Sequence, residues 1–262
     1  MKEVQGSPEP GPVSLRAGEI NLAGEVQRLL LPKSSPACTW CCMGVNNRMA
    51  RVLGGDFYDF IGMPDDCQVL FLGDVTGHGL HASVVMSLVY GFLHRAVMEG
   101  CNPQRAMGDL NSFLRSFAAR SDQLDYFFSA TLFYGVIDPQ RLRMHYINAG
   151  HPAGLVRRGE ELLRLKATSH PIGYFDQPDF QIRAFDFQIG DRLFLYTDGV
   201  VDAMNSAGEM YGIERLESNL AHSNDDHQAF LDQLFDQIRQ FMGKEPLRDD
   251  CTGIVVDFHR PF

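Results

Sequence analysis

The chain has 262 residues, of which 45% are hydrophobic and 21% charged, which is the composition of an ordinary folded protein with a buried core. Its formal net charge of −10 argues against a broad nucleic-acid-binding surface, because such surfaces are basic. The sequence has no run of about 18 apolar residues, so no membrane span is predicted. The N-terminal segment also lacks the apolar centre of a signal peptide. Neither nucleic acid nor a membrane is therefore an expected partner.

Cysteine use adds a prediction about the compartment. In a chain of this length without an export signal, the cysteines are interpreted as reduced thiols, which predicts a cytoplasmic protein. Cys38 and Cys41 match C-x-x-C, but no second pair completes a zinc site, so packing thiols in a strand are favoured over a zinc or redox role. The six positions are Cys38, Cys41, Cys42, Cys67, Cys101 and Cys251.

The first predicted element is a helix near the N-terminus. Residues 1–16 are rich in Pro, Gly and Ser and are expected to be disordered or a linker. Apolar residues at helical spacing predict an amphipathic linker helix over residues 17–32, ending at a proline. This helix either packs on its own domain or serves in signalling or dimerisation, and the sequence leaves both readings open. No second linker follows, so residues 33–262 are predicted to form one domain.

That domain is predicted to be rich in strands, with two helices after the third strand and one before the last. Strands are predicted at 37–45, 51–61, 67–74, 127–138, 141–150, 154–158, 162–166, 180–187, 192–199 and 251–258. Helices are predicted at 80–100, 102–119 and 226–242, the second with Asn102 as its N-cap and Pro103 in its first position. Strand runs joined by short turns predict an α+β fold with two stacked antiparallel sheets.

Aspartates beside small residues mark four of the predicted strand ends. Because the adjoining strand residues are apolar, these acids are expected at one rim of the sheets. Several carboxylates at one rim repel each other, and a hard divalent cation relieves this repulsion because oxygen ligands suit Mg²⁺ and Mn²⁺. Each aspartate taken alone is equally a common turn residue. The positions are Asp56, Asp74, Asp198 and the pair Asp249–Asp250.

Five motifs, in this order, resemble the SpoIIE/RsbU branch of the bacterial metal-dependent, type 2C-like serine/threonine protein phosphatases. They are GGDFYDF (54–60), GDVTGHG (73–79), NAGHP (148–152), YTDGVVDAMN (196–205) and DDCT (249–252). The preceding EVQRLLLP (25–32) resembles the linker helix that leads into such domains. The resemblance implies two stacked antiparallel β-sheets flanked by helices, an αββα sandwich, with a centre of two Mn²⁺ or Mg²⁺ ions.

The resemblance also implies a role for each matched acid. Asp74 would bridge both ions, and Asp56 would hold one of them together with the backbone carbonyl of Val75. Asp198 and Asp249 would hold the other ion. These four acids would act in catalysis through a water that the ions activate.

Five residues near the motifs have uncertain or structural interpretations. Asp250 is expected to orient its neighbouring aspartate or to cap the turn, and the assignment within this pair stays open. Asp59 is interpreted as a turn acid rather than a support for the ligands. His78 and His151 are candidates for proton transfer, although a structural role is favoured for both. Arg51 is interpreted as a solvated side chain rather than a phosphate contact.

The implied reaction is hydrolysis of a phosphoserine or phosphothreonine on a protein. In this branch the usual substrate is a STAS-type anti-sigma factor antagonist, and the N-terminal helix suggests a homodimer. The segment SHPIG (169–173) departs from the family's usual glycine-Pro-Leu-Gly turn, so this loop is expected to differ in substrate contact.

Two other classes of function compete with a phosphatase. A phosphatase fold used only as a non-enzymatic, regulatory protein-binding module is the main alternative, and the acidic residues at all four ligand positions argue against it. A metal-dependent nuclease or nucleotide hydrolase is weakened by the lack of a basic groove.

Overall fold

Two five-stranded antiparallel sheets with flanking helices form the part of the chain that the computed structural model describes, residues 12–33, 38–63, 67–120 and 128–259. The helices are α1 (Pro12–Leu30), α2 (Leu80–Val97), α3 (Pro103–Ala118), α4 (Gly199–Asp202), α5 (Gly212–His222) and α6 (His227–Met242). The strands are β1 (Cys41–Arg48), β2 (Asp56–Gly62), β3 (Gln68–Val75), β4 (Ala130–Asp138), β5 (Arg143–Ala149), β6 (Gly154–Arg158), β7 (Glu161–Leu165), β8 (Arg183–Asp186), β9 (Arg192–Tyr196) and β10 (Cys251–Phe258).

The two sheets divide the strands between them. One has the order β1-β10-β9-β6-β7 and the other the order β2-β3-β4-β5-β8, with antiparallel pairing throughout. Helices α2 and α3 pack on the second sheet, whereas α6 packs on β1 and β10 of the first. The predicted α+β fold with two stacked antiparallel sheets is therefore confirmed.

Central strands are buried because they are covered on both faces. In β3 the run from Val69 to Leu72 is fully inaccessible, since alternate side chains face the opposite sheet and the helices. A second apolar cluster lies where α5 and α6 cover β6, β9 and β10, and it includes Phe194, Phe230 and Phe235. The strand ends around these clusters are consequently held in fixed positions.

Helix α2 has the length and apolar composition of a membrane span, with a mean hydropathy of 1.2. In this fold one face of it, including Met86, Val89 and Leu93, is buried against the sheet that contains β2 and β3. Burial in a protein core accounts for the same apolar composition. Its N-terminus follows β3 directly, so α2 begins beside the end of that strand.

Several element boundaries differ from the predictions. Strand β1 runs from Cys41 to Arg48 instead of over residues 37–45, and β2 begins at Asp56 instead of at residue 51. Helix α1 begins at Pro12, so part of the segment expected to be linker is helical, and residues 1–11 lie outside the described chain. Strand β9 ends at Tyr196 because the chain turns into the short helix α4 at Gly199. Helices α4 and α5 were not predicted, the first because it has only one turn and the second because it buries only Leu216 and Leu220.

The expectation of six reduced thiols is wrong for four of the cysteines. The structure joins Cys38 to Cys41 and Cys67 to Cys101 as disulfides, with Cα–Cα distances of 5.6 and 6.8 Å. Both separations lie within the range that a disulfide spans. Cys67 and Cys101 are distant in sequence and meet only because α2 returns the chain to the start of β3. The cysteine argument for a reducing compartment therefore loses its basis at these positions.

Candidate metal centre

The predicted acids come together at one end of the two sheets. Asp56 begins β2 and faces Asp74 near the end of β3 in the antiparallel register. Asp198 follows β9 and Asp249 precedes β10, and these two strands are also antiparallel neighbours. Each pair of acids therefore lies at the shared end of one strand pair.

Asp56 connects the two strand pairs across the sheets. Its Oδ2 accepts hydrogen bonds from the hydroxyls of Thr197, at 2.9 Å, and Thr252. Thr197 directly follows β9, and Thr252 lies in β10. Its residue surface is only 1% exposed. Burial, followed by repulsion from Asp250, raises the pKa of Asp56 well above its usual value, although the two threonine hydrogen bonds act in the opposite direction. The ionised form of Asp56 is therefore disfavoured in the metal-free fold.

Asp74 experiences the carboxylates from both strand pairs. Burial is the largest cause that raises its pKa to about 10, and repulsion from Asp56, Asp198, Asp249 and Asp250 adds to it in that order. All four of these carboxylates are therefore close enough to act electrostatically on Asp74. A shift of this size means that an ionised Asp74 is strongly disfavoured unless positive charge is supplied.

No side chain supplies that charge among the residues that the structure describes. None of their ion pairs includes any of these five acids. Hard divalent cations take carboxylate oxygens and would neutralise the cluster. No three His, Cys, Asp or Glu side chains of the described chain already surround a single point as ligands. The fit to a cation therefore rests on the oxygen donors and their uncompensated charge, not on a preformed cage.

The adjacent acids Asp249 and Asp250 have different surroundings. Asp250 is buried, and its Oδ1 and Oδ2 accept the backbone N–H groups of Ala50 and Gly55, each at 2.8 Å. Asp249 is exposed, and its Oδ1 accepts the N–H of Asp250 at 2.9 Å. Asp250 thus fastens the segment before β2, while the carboxylate of Asp249 is open to solvent.

Two glycines allow this close arrangement. A Cβ on Gly54 would overlap Oδ2 of Asp250, and a Cβ on Gly55 would lie 3.0 Å from both Asp74 Oδ1 and the carbonyl oxygen of Val75. The Val75 N–H also donates to the carbonyl of Gly55 at 3.3 Å. The glycine pair therefore lets the Val75 carbonyl, Asp74 and Asp250 approach one another.

Helix α1 reaches this segment through one buried side chain. The Nε2 of Gln27 donates to the Gly54 carbonyl at 2.7 Å, and the Gly54 N–H donates to Gln27 Oε1 at 3.1 Å. Val52 packs against Gly24 of the same helix. The sequence analysis did not single out Gln27, because no local pattern distinguishes it from the other polar residues of the predicted helix. It also missed Thr197 and Thr252, although both stand inside the recognised motifs.

The remaining candidates lie away from the acids or have structural partners. His151 is buried with Nδ1 2.9 Å from the Thr131 hydroxyl, and burial lowers its pKa to about 3, so it stays neutral at physiological pH. Asp59 is not a turn acid: it lies within β2 and accepts hydrogen bonds from Tyr90 and His94 of α2. His78 and Arg51 are exposed, as expected of solvated side chains.

Comparison with known proteins places the chain in a family. The model of the Stage II sporulation protein E (SpoIIE) family matches residues 64–259, which is most of the chain. The chain belongs to the SpoIIE family. Membership of this family confirms the resemblance that the five motifs indicated.

Two curated relatives agree with this assignment. Phosphoserine phosphatase RsbP of Bacillus subtilis (strain 168) is 33% identical over 152 residues, covering 57% of this chain and 37% of that protein. Protein IcfG of Synechocystis sp. (strain ATCC 27184 / PCC 6803 / Kazusa) is 28% identical over 260 residues, covering 91% of this chain and 41% of that protein. The chain therefore spans about two fifths of the length of these relatives.

Solved structures share the fold of this SpoIIE-family chain. The SiaA-PP2C domain of Pseudomonas aeruginosa superposes with a TM-score of 0.82 at 21% identity, over 94% of this chain and 99% of that one. RsbX in complex with magnesium gives a TM-score of 0.64 at 12% identity, over 86% of this chain and 98% of that one. These similarities confirm the type 2C-like phosphatase fold.

Proposed function

We propose that this chain is a divalent-metal-dependent phosphatase that hydrolyses phosphoserine or phosphothreonine on a protein. The observation that carries the proposal is the cluster of carboxylates at the shared strand ends, whose charge no side chain of the described residues balances. Membership of the SpoIIE family and the phosphoserine phosphatase RsbP among the relatives support the same reaction.

The proposed centre holds two Mn²⁺ or Mg²⁺ ions. Asp74 would contact both, Asp56 and the carbonyl of Val75 would hold one, and Asp198 and Asp249 the other. We choose Asp249 as the ligand of its pair because its carboxylate is exposed, whereas both oxygens of the neighbouring acid accept backbone hydrogen bonds. Ions bound there would lower the pKa of water and neutralise charge on a phosphoryl group.

The protein's own residues prepare this centre. Thr197 and Thr252 orient Asp56 and satisfy part of its buried charge. Asp250 accepts the N–H of Gly55, and this hydrogen bond restrains the backbone directly before Asp56. His151 is not available as a proton donor, because it is neutral and buried. The chain thus contributes positioning and electrostatics, and no side-chain nucleophile is required.

The substrate class is the finer part of the proposal. The motif resemblance points to a phosphorylated STAS-type anti-sigma factor antagonist, which would place the enzyme in sigma factor regulation in the cytoplasm. The main rival is a protein-binding module without activity. In a phosphatase the acids are required for turnover, whereas in a binding module they serve only to maintain the fold.

We further propose that α1 is a linker helix through which two copies associate, with residues 33–262 as the phosphatase domain. Helix α1 packs on its own domain through Gln27, yet it also leaves Leu22 and Val26 exposed. These face a groove of about 610 Å³ that Leu80 and Val84 of α2 complete, and both of these are exposed as well. A continuous apolar groove of this kind suits the same groove of a second copy.

Light scattering tests this association. The wild-type chain should give a dimer mass, and Leu22→Glu should give a monomer mass. A wild-type chain that is monomeric at all concentrations would contradict the proposal.

The direct test of the activity uses the purified chain with Mn²⁺ and phosphorylated STAS-domain proteins from the same genome. We expect release of phosphate that EDTA abolishes and that Asp74→Asn lacks, while its circular dichroism spectrum stays that of the wild type. Arg28→Met, an exposed change on α1, is the matched control and should keep full activity. Activity that survives EDTA rejects the mechanism, and binding of the phosphoprotein without any turnover favours the binding module.

A further inference from the structure

A loop between β7 and β8 is anchored to helix α3 by hydrogen bonds to its backbone and by one ion pair. The N–H of Gly173 donates to Asn111 Oδ1 at 2.8 Å, and Asn111 Nδ2 donates to the Phe175 carbonyl at 3.0 Å. Asn111, on α3, is only 2% exposed. Arg115 of the same helix binds the Asp176 carboxylate at 2.7 Å. We call residues 169–176 the aromatic loop.

Two aromatic side chains of the aromatic loop are exposed to solvent, whereas Ile172 of the same loop is buried. Tyr174 is 60% exposed and Phe175 43% exposed. Their ring centroids are 5.0 Å apart, and the ring of His170 lies 4.9 Å from that of Phe175. Adjacent exposed aromatic rings on a fixed backbone lose little conformational entropy on binding, and aromatic side chains are enriched at protein interfaces.

The aromatic loop lies beside the acid cluster. Ile172 pairs with Ala130 of β4 through two backbone hydrogen bonds of 3.0 and 3.1 Å. Ala130 pairs in turn with Val75, the residue that follows Asp74 at the end of β3. Neighbouring strands are about 4.8 Å apart, so the backbone of Ile172, two residues before Tyr174, is about 10 Å from the strand end that carries Asp74.

We propose that Tyr174 and Phe175 form a docking surface for the folded phosphoprotein substrate, contacting apolar residues next to its phosphoserine. This inference rests on the proposed function and adds the surface that selects the substrate. When a phosphoserine of the substrate reaches Asp74, the substrate surface around it covers enzyme residues about 10 Å away, which is two strand spacings. A small aryl phosphate does not extend that far. The two rings therefore serve the protein substrate and leave the chemistry at the acids unchanged.

The experiment compares two substrates for each variant. Tyr174→Ala, Phe175→Ala and the double variant are assayed with p-nitrophenyl phosphate and with the phosphorylated STAS protein, and their affinities for that protein are measured by calorimetry. We expect kcat/KM for the phosphoprotein to fall about tenfold or more in the double variant, mainly through KM, as for interface hot spots. Hydrolysis of p-nitrophenyl phosphate should be unchanged. Ile189→Ala, at an exposed apolar residue outside the loop, is the control and should change neither.

The other outcomes separate this inference from the proposed function. Equal losses with both substrates mean that the loop shapes the acid cluster, and no loss with either means that the rings do not dock substrate; both results overturn the inference. A changed oligomeric mass in the double variant identifies a second copy as the occupant and also overturns it. Phosphoprotein binding that needs both rings, without hydrolysis, rejects the proposed activity and supports the docking surface. A wild-type chain that neither binds nor hydrolyses the phosphoprotein overturns both.

Discussion

Asp56 and Asp74 lie opposite each other across the antiparallel pair β2 and β3, and each has a pKa raised first by burial and then by a neighbouring carboxylate. Two acids in this relation destabilise the metal-free fold whenever both are ionised. Without a basic partner, the metal-free fold must either keep a proton on one of these acids or bear the repulsion between two carboxylates. A bound cation would replace that proton and offset the repulsion, so stability and metal binding should be linked.

The stability of the metal-free protein should fall as pH rises. The pKa of Asp74 is 3.8 in an unfolded chain and about 10 in the fold, so between these values the folded state holds a proton that the unfolded state has lost. The free energy of unfolding therefore decreases with pH across this window. Thermal melts in EDTA from pH 5 to pH 9 should show a declining Tm.

Two controls accompany these melts. Asp74→Asn cannot ionise, so its Tm should decline less steeply with pH than that of the wild type. Addition of Mn²⁺ should raise the wild-type Tm most at the high end of the range. A Tm that rises with pH in EDTA would be incompatible with the raised pKa.

The pair Asp249 and Asp250 should separate into a ligand and a structural residue. Asp250→Asn leaves one acceptor oxygen for the N–H groups of Ala50 and Gly55, and an unsatisfied buried N–H lowers the free energy of unfolding by about 1–3 kcal/mol. Asp249→Asn, at an exposed residue, should change stability by less than about 0.5 kcal/mol but weaken Mn²⁺ binding about tenfold or more. Denaturant unfolding in EDTA and calorimetric Mn²⁺ titration measure the two effects. If Asp250→Asn instead weakened Mn²⁺ binding and Asp249→Asn lowered stability, Asp250 would be the ligand and Asp249 the structural residue.

Thr252→Val should weaken metal binding without changing the side-chain volume at this buried position. The Thr252 hydroxyl donates to Asp56 and accepts from Asn47 at 2.7 Å, so valine removes both bonds at nearly constant volume. Asp56 then keeps its proton more tightly, and Mn²⁺ must compete with that proton. We expect the apparent Mn²⁺ affinity to fall several-fold at pH 6 and less at pH 8. An affinity that is unchanged at both pH values would show that the hydroxyl does not support Asp56.

Gln27→Met should loosen the segment before β2 while keeping the shape of the buried side chain. Both hydrogen bonds to Gly54 are lost, and its carbonyl and N–H are left without their partner. We expect faster amide hydrogen exchange at Gly54 and Gly55 in the metal-free protein and a loss of about 1–3 kcal/mol in stability. Arg28→Met, the exposed neighbour, is the control. Unchanged exchange at both glycines would show that α1 does not restrain them.

Much of the fold follows from local sequence patterns. Strands β6 and β10 occupy the predicted residues, and Asn102 caps α3 by accepting the N–H of Arg105, because apolar runs and capping residues act over a few positions. The four acids were predicted from their strand ends and the motifs. Their threonine and backbone partners were not, because Asp56 and Thr252 are 196 residues apart and meet only when the sheets stack. The disulfide between Cys67 and Cys101 depends on the same long-range packing.

Anomalous diffraction from crystals grown with Mn²⁺ tests the central claim most directly. The account predicts two manganese peaks at the shared strand ends, with Asp74 contacting both ions. Asp56 should contact one ion, and Asp198 and Asp249 the other. A map with no peak at these acids, or with manganese bound elsewhere while the four carboxylates stay unliganded, would contradict it.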